Sequence, residues 1–363
     1  MSTKPTAKQD PNKLKVRKLN VNKPNVSELN VNEQNKNEQY FNEQYINEQL
    51  VKKSLEKQQY GFVGEHSACK ICTYTKRSIK DEDVCYKQKF YGIRSHLCCQ
   101  MTPIMICNNQ CIFCWRDTSA HTAIKVKHKL DEPKEIINGC IKMQKKLLSG
   151  LGGFDKTNKE KWRQAYTPKH YAISLTGEPT LYLKLGALIK EIHSLGSTSF
   201  LVTNGLQPEA LKKLEKDSAL PTQLYVSVDA PNEELFKKID KPLLKDGWQR
   251  LIKTLKLLPE LGKKTRTTLR FTIIKGMNDC FPEQWAEIIK ISNPLFVEVK
   301  AYMFVGSSRQ RLLIENMPRH HEIIEFSKRI CEHCGYKIID DKKESRVVLL
   351  MKKEVKGRIM KFD

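Results

Sequence analysis

From residue 101 onward, apolar and polar positions follow two alternating rhythms. Short apolar runs at 101–106, 171–175, 199–202, 223–228, 267–274 and 296–302 are separated by stretches in which apolar residues return every three or four positions. A run of that length bounded by turn residues fits a buried strand, and the wider spacing fits an amphipathic helix. The helical stretches are 133–148, where Ile136, Ile137, Ile141, Met143 and Leu147 recur, then 183–195, 209–214, 248–258 and 282–291. Six strands alternating with helices predict an α/β fold with a parallel sheet, built as a partial (βα)6 TIM-like barrel. A helix near 321–331 and two strand-like segments, 336–339 and 346–351, predict a C-terminal β extension at the sheet edge.

Before residue 101 these rhythms fail. Asn-Glu-Gln recurs at 32–34, 37–39, 42–44 and 47–49, a period of five that matches neither helix nor strand. Residues 1–58 are therefore expected to form a low-complexity, disordered tail. A cysteine-bearing segment follows at 59–100, then the barrel core at 101–335 and the extension at 336–363.

Composition changes the picture in one respect. The 363 residues are 39% hydrophobic and 29% charged, as in a globular chain, but 64 Lys and Arg stand against 41 Asp and Glu. A net charge of +23 suits a polyanion such as RNA or DNA. The Lys, Asn and Ile bias of an AT-rich genome would produce the same surplus. No secretory leader opens the chain, and no apolar run reaches the roughly 18 residues of a membrane span, so a cytoplasmic protein without membrane contact is expected. Twelve cysteines in that setting read as metal-binding rather than disulfide-bonded.

The most informative cysteines lie in Cys107-Asn-Asn-Gln-Cys111-Ile-Phe-Cys114. Three thiolates at this spacing can hold three irons of a 4Fe–4S cubane and leave the fourth open to a small molecule. S-adenosylmethionine (SAM) is the ordinary occupant of such a site, and one electron from the cluster cleaves its sulfonium to give a carbon radical. A zinc knuckle is the alternative, although no fourth ligand lies nearby. In parallel α/β folds ligands bind at the carboxyl ends of strands. Here those ends carry Gly177 and Glu178, then Asn204, then Ser227 and Asp229. Glu178 could accept from an amino acid's ammonium, and Asn204 and Ser227 suit ribose or carboxylate oxygens. Each of these is also an ordinary turn sequence taken alone. Cys72, Cys85 and Cys98, evenly spaced ahead of the first motif, form a candidate second metal centre, with free thiols or zinc as alternatives.

The Cys107–Cys114 motif and Thr176-Gly-Glu-Pro179 resemble the radical SAM superfamily. Val84-Cys-Tyr-Lys-Gln-Lys-Phe-Tyr-Gly-Ile93, Cys98-Cys-Gln-Met-Thr-Pro103, Phe113-Cys-Trp-Arg116, Ser227-Val-Asp-Ala-Pro231 and Asn316-Met-Pro318 narrow this to similarity with the tRNA 4-demethylwyosine synthases of wybutosine biosynthesis. The similarity is to their single-domain archaeal form, from about residue 60 onward.

The resemblance implies two 4Fe–4S clusters, one with SAM on Cys107, Cys111 and Cys114 and one on Cys72, Cys85 and Cys98. Gly177, Glu178, Asn204 and Ser227 would contact SAM. It further implies that pyruvate condenses with an N1-methylguanosine next to the anticodon of tRNA-Phe. The 5′-deoxyadenosyl radical would take a hydrogen from the N1-methyl group. The carbon radical so formed would add to pyruvate, whose carboxyl carbon is lost, before ring closure. A lysine would hold pyruvate as a Schiff base, a place that Lys87 fits, with Lys89 as its alternative. An external flavodoxin- or ferredoxin-type donor and a monomer are expected. Arg309 and Arg311 are candidates for the tRNA path, and Cys331-Glu-His-Cys334 is read as local packing. A methylthiolase-like radical enzyme, a glycyl-radical activase and a zinc-dependent RNA-binding protein remain as other readings.

Overall fold

The computed structural model describes residues 52–53, 55–118, 122–123 and 129–362. Most of the expected tail thus lies outside the described residues. Its last residues are helical, and Leu55 is buried against Tyr60, Ala68 and Leu175.

Two short strands, β1 (Gly61–Val63) and β2 (Ser67–Lys70), lead into helices α1 (Thr73–Ile79) and α2 (Tyr86–Tyr91) and strand β3 (Cys98–Thr102). Helices α3 (Pro133–Leu148) and α4 (Lys159–Gln164) follow, then β4 (His170–Ile173), α5 (Leu185–Ser194), β5 (Thr198–Thr203) and α6 (Pro208–Lys216). Next come β6 (Gln223–Val228), α7 (Glu233–Ile239), α8 (Gly247–Leu261), β7 (Arg266–Ile273), α9 (Pro282–Ser292) and β8 (Phe296–Ala301). The chain ends with α10 (His320–Cys334), β9 (Lys337–Lys342) and β10 (Val347–Met351).

All ten strands join one sheet in the order β1-β2-β3-β4-β5-β6-β7-β8-β10-β9. The six strands from β3 to β8 are parallel, which is the barrel portion, and the antiparallel strands at either end leave the sheet unclosed. The first barrel strand differs from expectation, running over Cys98–Thr102 rather than 101–106. Pro103 has no N–H for the ladder, so the chain leaves the sheet there and the apolar residues after it cross toward the cysteine loop. Helix α7 is an element that apolar spacing alone does not reveal. Its Asn232 cap accepts from the Leu235 N–H at 3.0 Å.

Alternation along the strands divides the sheet into two faces with different work. One face is apolar and packs on the helices: Ile173, Leu201, Val226, Leu269, Phe271 and Val299 share its core with residues of α3, α5, α8, α9 and α10. The inner face instead carries Phe200, Tyr225 and Phe296, against which α2 inserts Tyr86, Phe90 and Tyr91, with Val347 and Leu349 of β10 completing the cluster. The same face holds the polar residues Ser227, Arg270, Glu298 and Lys300. Among the described residues no helix is long and apolar enough to cross a membrane.

Candidate active site

The Cys107–Cys114 loop is fixed by backbone rather than by its own secondary structure. The Gln110 N–H donates to the carbonyls of Asp240 and Lys241, each at 3.1 Å, the Ile112 N–H to Ile239 at 2.9 Å, and the Leu243 N–H to Asn108 at 2.9 Å. The end of α7 therefore zips onto the loop. From the other side, the Arg311 guanidinium donates from Nε to the Ile112 carbonyl at 3.0 Å, and also to the carbonyls of Cys114 and Arg116. Arg311 thus clamps the loop through its backbone. Arg309 lies over the Phe304 ring at 5.4 Å and stays exposed.

The Gly-Glu-Pro turn presses against the segment entering this loop. Gly177 has φ +68°, and a Cβ there would come within 2.3 Å of the Ile104 carbonyl oxygen. The next N–H, of Glu178, donates to the Ile106 carbonyl at 2.7 Å. Glu178 is buried, and its carboxylate ties strand ends together. Oε1 accepts from the Thr180 N–H and hydroxyl and from the Thr203 hydroxyl at 2.7 Å, while Oε2 accepts from the Asn204 N–H at 2.8 Å. Burial raises its pKa, and these donors offset only part of the rise. Asn204 reaches back to the Asn108 side chain at 2.6 Å. Ser227 receives the Arg270 guanidinium at 3.3 Å.

These groups surround one cavity of about 200 Å³, whose lining includes Cys107, Cys111, Cys114, Gly177, Glu178, Asn204 and Ser227. Burial, and after it the Glu178 carboxylate, push the Cys107 thiol up to about 12. Burial and then Asp240 raise the Cys111 thiol. A lone thiolate is unstable in that setting, whereas a cationic iron centre reverses the balance. Buried polar atoms without a protein partner point the same way: both side-chain atoms of Asn109, Oδ2 of Asp240, the Thr176 hydroxyl, and Nε and one terminal nitrogen of Arg116. Groups this costly to leave unpaired mark space for polar matter beyond the protein. The donor set fits a 4Fe–4S cluster with a polar ligand. Among the described residues, no three His, Cys, Asp or Glu side chains are gathered as a single metal ion's ligands. Asp229 sits at the strand end where the sequence places it, whereas nothing in the sequence pattern pointed to Asp240. Asp240 meets the Cys111 sulfur at 3.4 Å, and Asp229 accepts from the Thr272 N–H at 3.1 Å.

The second cysteine set lies on the inner side of the sheet. Cys72 precedes α1 and Cys85 precedes α2, while Cys98 opens β3. Burial raises the Cys98 thiol, with Cys72 and Cys85 adding to the rise and Lys87 opposing it. Burial and Cys72 carry Cys85 up to about 12, again against Lys87. These three sulfurs and one ammonium thus share one electrostatic neighbourhood. Cys99 points to the opposite face, into the apolar core with Cys69 and Cys140. Cys334 packs in that same core, and Cys331 lies against it.

Lys87 and Lys89 part company for the same geometric reason. Lys87 is only 9% exposed, and its ammonium stands 4.4 Å from the Tyr225 ring centre and 5.4 Å from that of Phe200. Lys89 faces outward, paired with Asp340 at 2.8 Å. Beside Lys87, Glu298 accepts the Tyr86 hydroxyl at 3.0 Å and the Tyr91 hydroxyl at 2.7 Å. Lys300 donates to the Ser345 carbonyl at 2.6 Å, and burial, then Arg270, lower its pKa to about 8.

Known proteins resemble this chain in sequence and fold. Family models for the radical SAM superfamily and for wyosine base formation match residues 101–289 and 291–352. The S-adenosyl-L-methionine-dependent tRNA 4-demethylwyosine synthase of Pyrococcus abyssi is 47% identical over 82% of this chain and 87% of its own length. A solved structure of TYW1 with a lysine–pyruvate adduct bound superposes with a TM-score of 0.76 at 37% identity, covering 85% of this chain and 98% of that one. The crystal structure of an archaeal TYW1 gives 0.68 at 34% identity, over 83% and 95%. These matches favour wyosine-base formation over the methylthiolase-like and zinc-dependent RNA-binding readings.

Proposed function

Because the chain belongs to the S-adenosyl-L-methionine-dependent tRNA 4-demethylwyosine synthases, radical SAM enzymes that form the wyosine base on tRNA, we propose that it joins N1-methylguanosine, next to the anticodon of tRNA-Phe, to pyruvate held on Lys87. The observation that carries this reading is Lys87 itself: a buried ammonium, cupped by Tyr225 and Phe200, beside the thiols of Cys72, Cys85 and Cys98.

Cys107, Cys111 and Cys114 would hold a 4Fe–4S cluster, which together with SAM would supply the carbon radical that activates the N1-methyl group. The other steps fall to the chain's own groups. Glu178 holds the strand ends and offers its less occupied Oε2 to the ammonium of SAM. Asn204 and Ser227 face SAM's polar oxygens, and Gly177 lets the turn lie close to the loop. Lys87 attacks the ketone carbon of pyruvate, a C=N bond forms, and the oxygen leaves as water. The aromatic rings around Lys87 keep bulk water from the imine. Cys72, Cys85 and Cys98 would hold a second 4Fe–4S cluster. An external flavodoxin- or ferredoxin-type protein supplies the electrons, and the enzyme acts as a cytoplasmic monomer.

The test is anaerobic reconstitution with tRNA bearing N1-methylguanosine, pyruvate, SAM and a reductant. A tricyclic base on the tRNA and about eight irons per chain are expected, against about four for one cluster. Formation of 5′-deoxyadenosine without the tricyclic base would reject pyruvate condensation. Lys87→Met should abolish the product while the iron stays bound.

A further inference from the structure

Three cations meet on the inner face of the sheet without a direct salt bridge. Lys87 comes from α2, Arg270 from β7 and Lys300 from β8, and among the described residues none forms an ion pair. Two carboxylates lie nearby: Glu298, both of whose oxygens receive tyrosine hydroxyls, and Asp229, which shares a cavity with Arg270 and interacts with it electrostatically. Arg270 touches Ser227 at 3.3 Å and lines the cavity of the first cysteine loop. The parallel register sets Arg270 beside Glu298 and Thr272 beside Lys300 on adjacent strands. The Lys300 ammonium stands 5.6 Å from the centre of the Tyr86 ring, one residue from Lys87 along α2. Arg270 and Lys300 thus occupy the ground between the two cysteine sets.

Three largely desolvated cations against two carboxylates leave positive charge in excess, and such an excess is costly unless an anion completes the site. The keto acid proposed for this enzyme is such an anion, with its ketone one carbon from its carboxylate. We propose that Arg270 and Lys300 form the carboxylate seat of the keto acid, turning its carbonyl carbon toward Lys87. The inference rests on Lys87 as the amine that takes pyruvate. A planar guanidinium can grip a carboxylate with two parallel hydrogen bonds, and the ammonium adds a third donor. The seat also accounts for a 2-keto acid as substrate, since a neutral ketone would leave two cations unpaired.

The experiment traps the imine with cyanoborohydride in the reconstituted holoenzyme, using labelled pyruvate over a concentration series and mapping the adduct by mass spectrometry. Acetone, a ketone without a carboxylate, serves as the control. Wild type should be labelled on Lys87. In Lys300→Met and Arg270→Met, half-maximal labelling should need roughly tenfold more pyruvate, with acetone labelling unchanged. Lys300→Arg should recover much of the pyruvate response, which a purely structural role would not predict. Labelling of Lys87 with unaltered pyruvate dependence in both Met variants would overturn the seat alone. Absence of label on Lys87 in wild type would reject the Lys87 reading. If the Met variants lose iron while the remaining holoenzyme keeps its pyruvate response, the cations balance the thiolates of Cys72, Cys85 and Cys98, and the seat is overturned.

Discussion

Gly177 and Arg311 shape the first cysteine loop through its backbone. Gly177→Ala adds a methyl group where φ is +68° and the Ile104 carbonyl is 2.3 Å from the new Cβ. Backbone must move, at a cost of about 1–3 kcal/mol. The displaced turn carries Glu178, so the holoenzyme should melt earlier and form less 5′-deoxyadenosine. Wild-type values of both would refute this account of the turn. Arg311→Ala removes the donor shared by three loop carbonyls. Iron at the first site should fall while tRNA binding is retained. Arg309→Ala should do the reverse, weakening tRNA binding with iron unchanged.

At the scale of elements, α2 ties the second cysteine set to the sheet, and β10 braces it. Leu349 of β10 is fully buried beside Tyr86, Phe90 and Phe296. Leu349→Ala should cost about 2–5 kcal/mol by removing those contacts and leaving a cavity. Thermal unfolding measures the loss, and a shift within error would show that β10 is dispensable to the inner core. Much of this architecture was readable beforehand: β6 runs over the expected 223–228 and α3 over 133–148, because strong local periodicity coincided with tertiary burial. Helix α7 leaves no visible apolar period, although Asn232, Glu233, Glu234, Lys237 and Lys238 are ordinary start and stop signals. Its two buried side chains, Phe236 and Ile239, are too few to set a visible period. At the site, the cysteines and Glu178 were legible from spacing and strand ends. Asp240, Arg270 and Lys300 were not, since only the folding of distant strands and loops reveals which polar residues turn inward.

For the whole molecule, the net charge of +23 predicts tRNA binding that weakens steeply with salt. Each phosphate neutralised contributes about 0.7–0.9 to the slope of log affinity against log salt concentration. Filter binding at several ionic strengths measures it, and a flat response would remove the electrostatic role of the basic surplus. Acid should also destabilise the fold through His170. This residue is buried, its Nε2 has no partner among the described residues, and burial, then Arg94 and His96, lower its pKa to about 4. The unfolded value is about 6.5, so the unfolded chain binds the extra proton between these limits. Stability is complete above about pH 6.5 and declines as the pH falls toward 4, by up to about 3 kcal/mol. His170→Gln should flatten that decline in pH-dependent melting, and an equally steep decline in the variant would exclude His170 as its source.

The neighbouring thiols of Cys98 and Cys99 give strand β3 a built-in proofreader. Cys98 joins the cysteines of the inner side and Cys99 the apolar core, so a slip of one position against β4 would exchange their directions. The slipped chain could still hydrogen-bond its backbone, yet it would present the wrong sulfur to the inner side. With the second cluster proposed above, iron uptake at Cys72, Cys85 and Cys98 would double as a readout of correct strand pairing, and a single-residue deletion just ahead of Cys98 should yield a soluble chain that has lost that iron selectively.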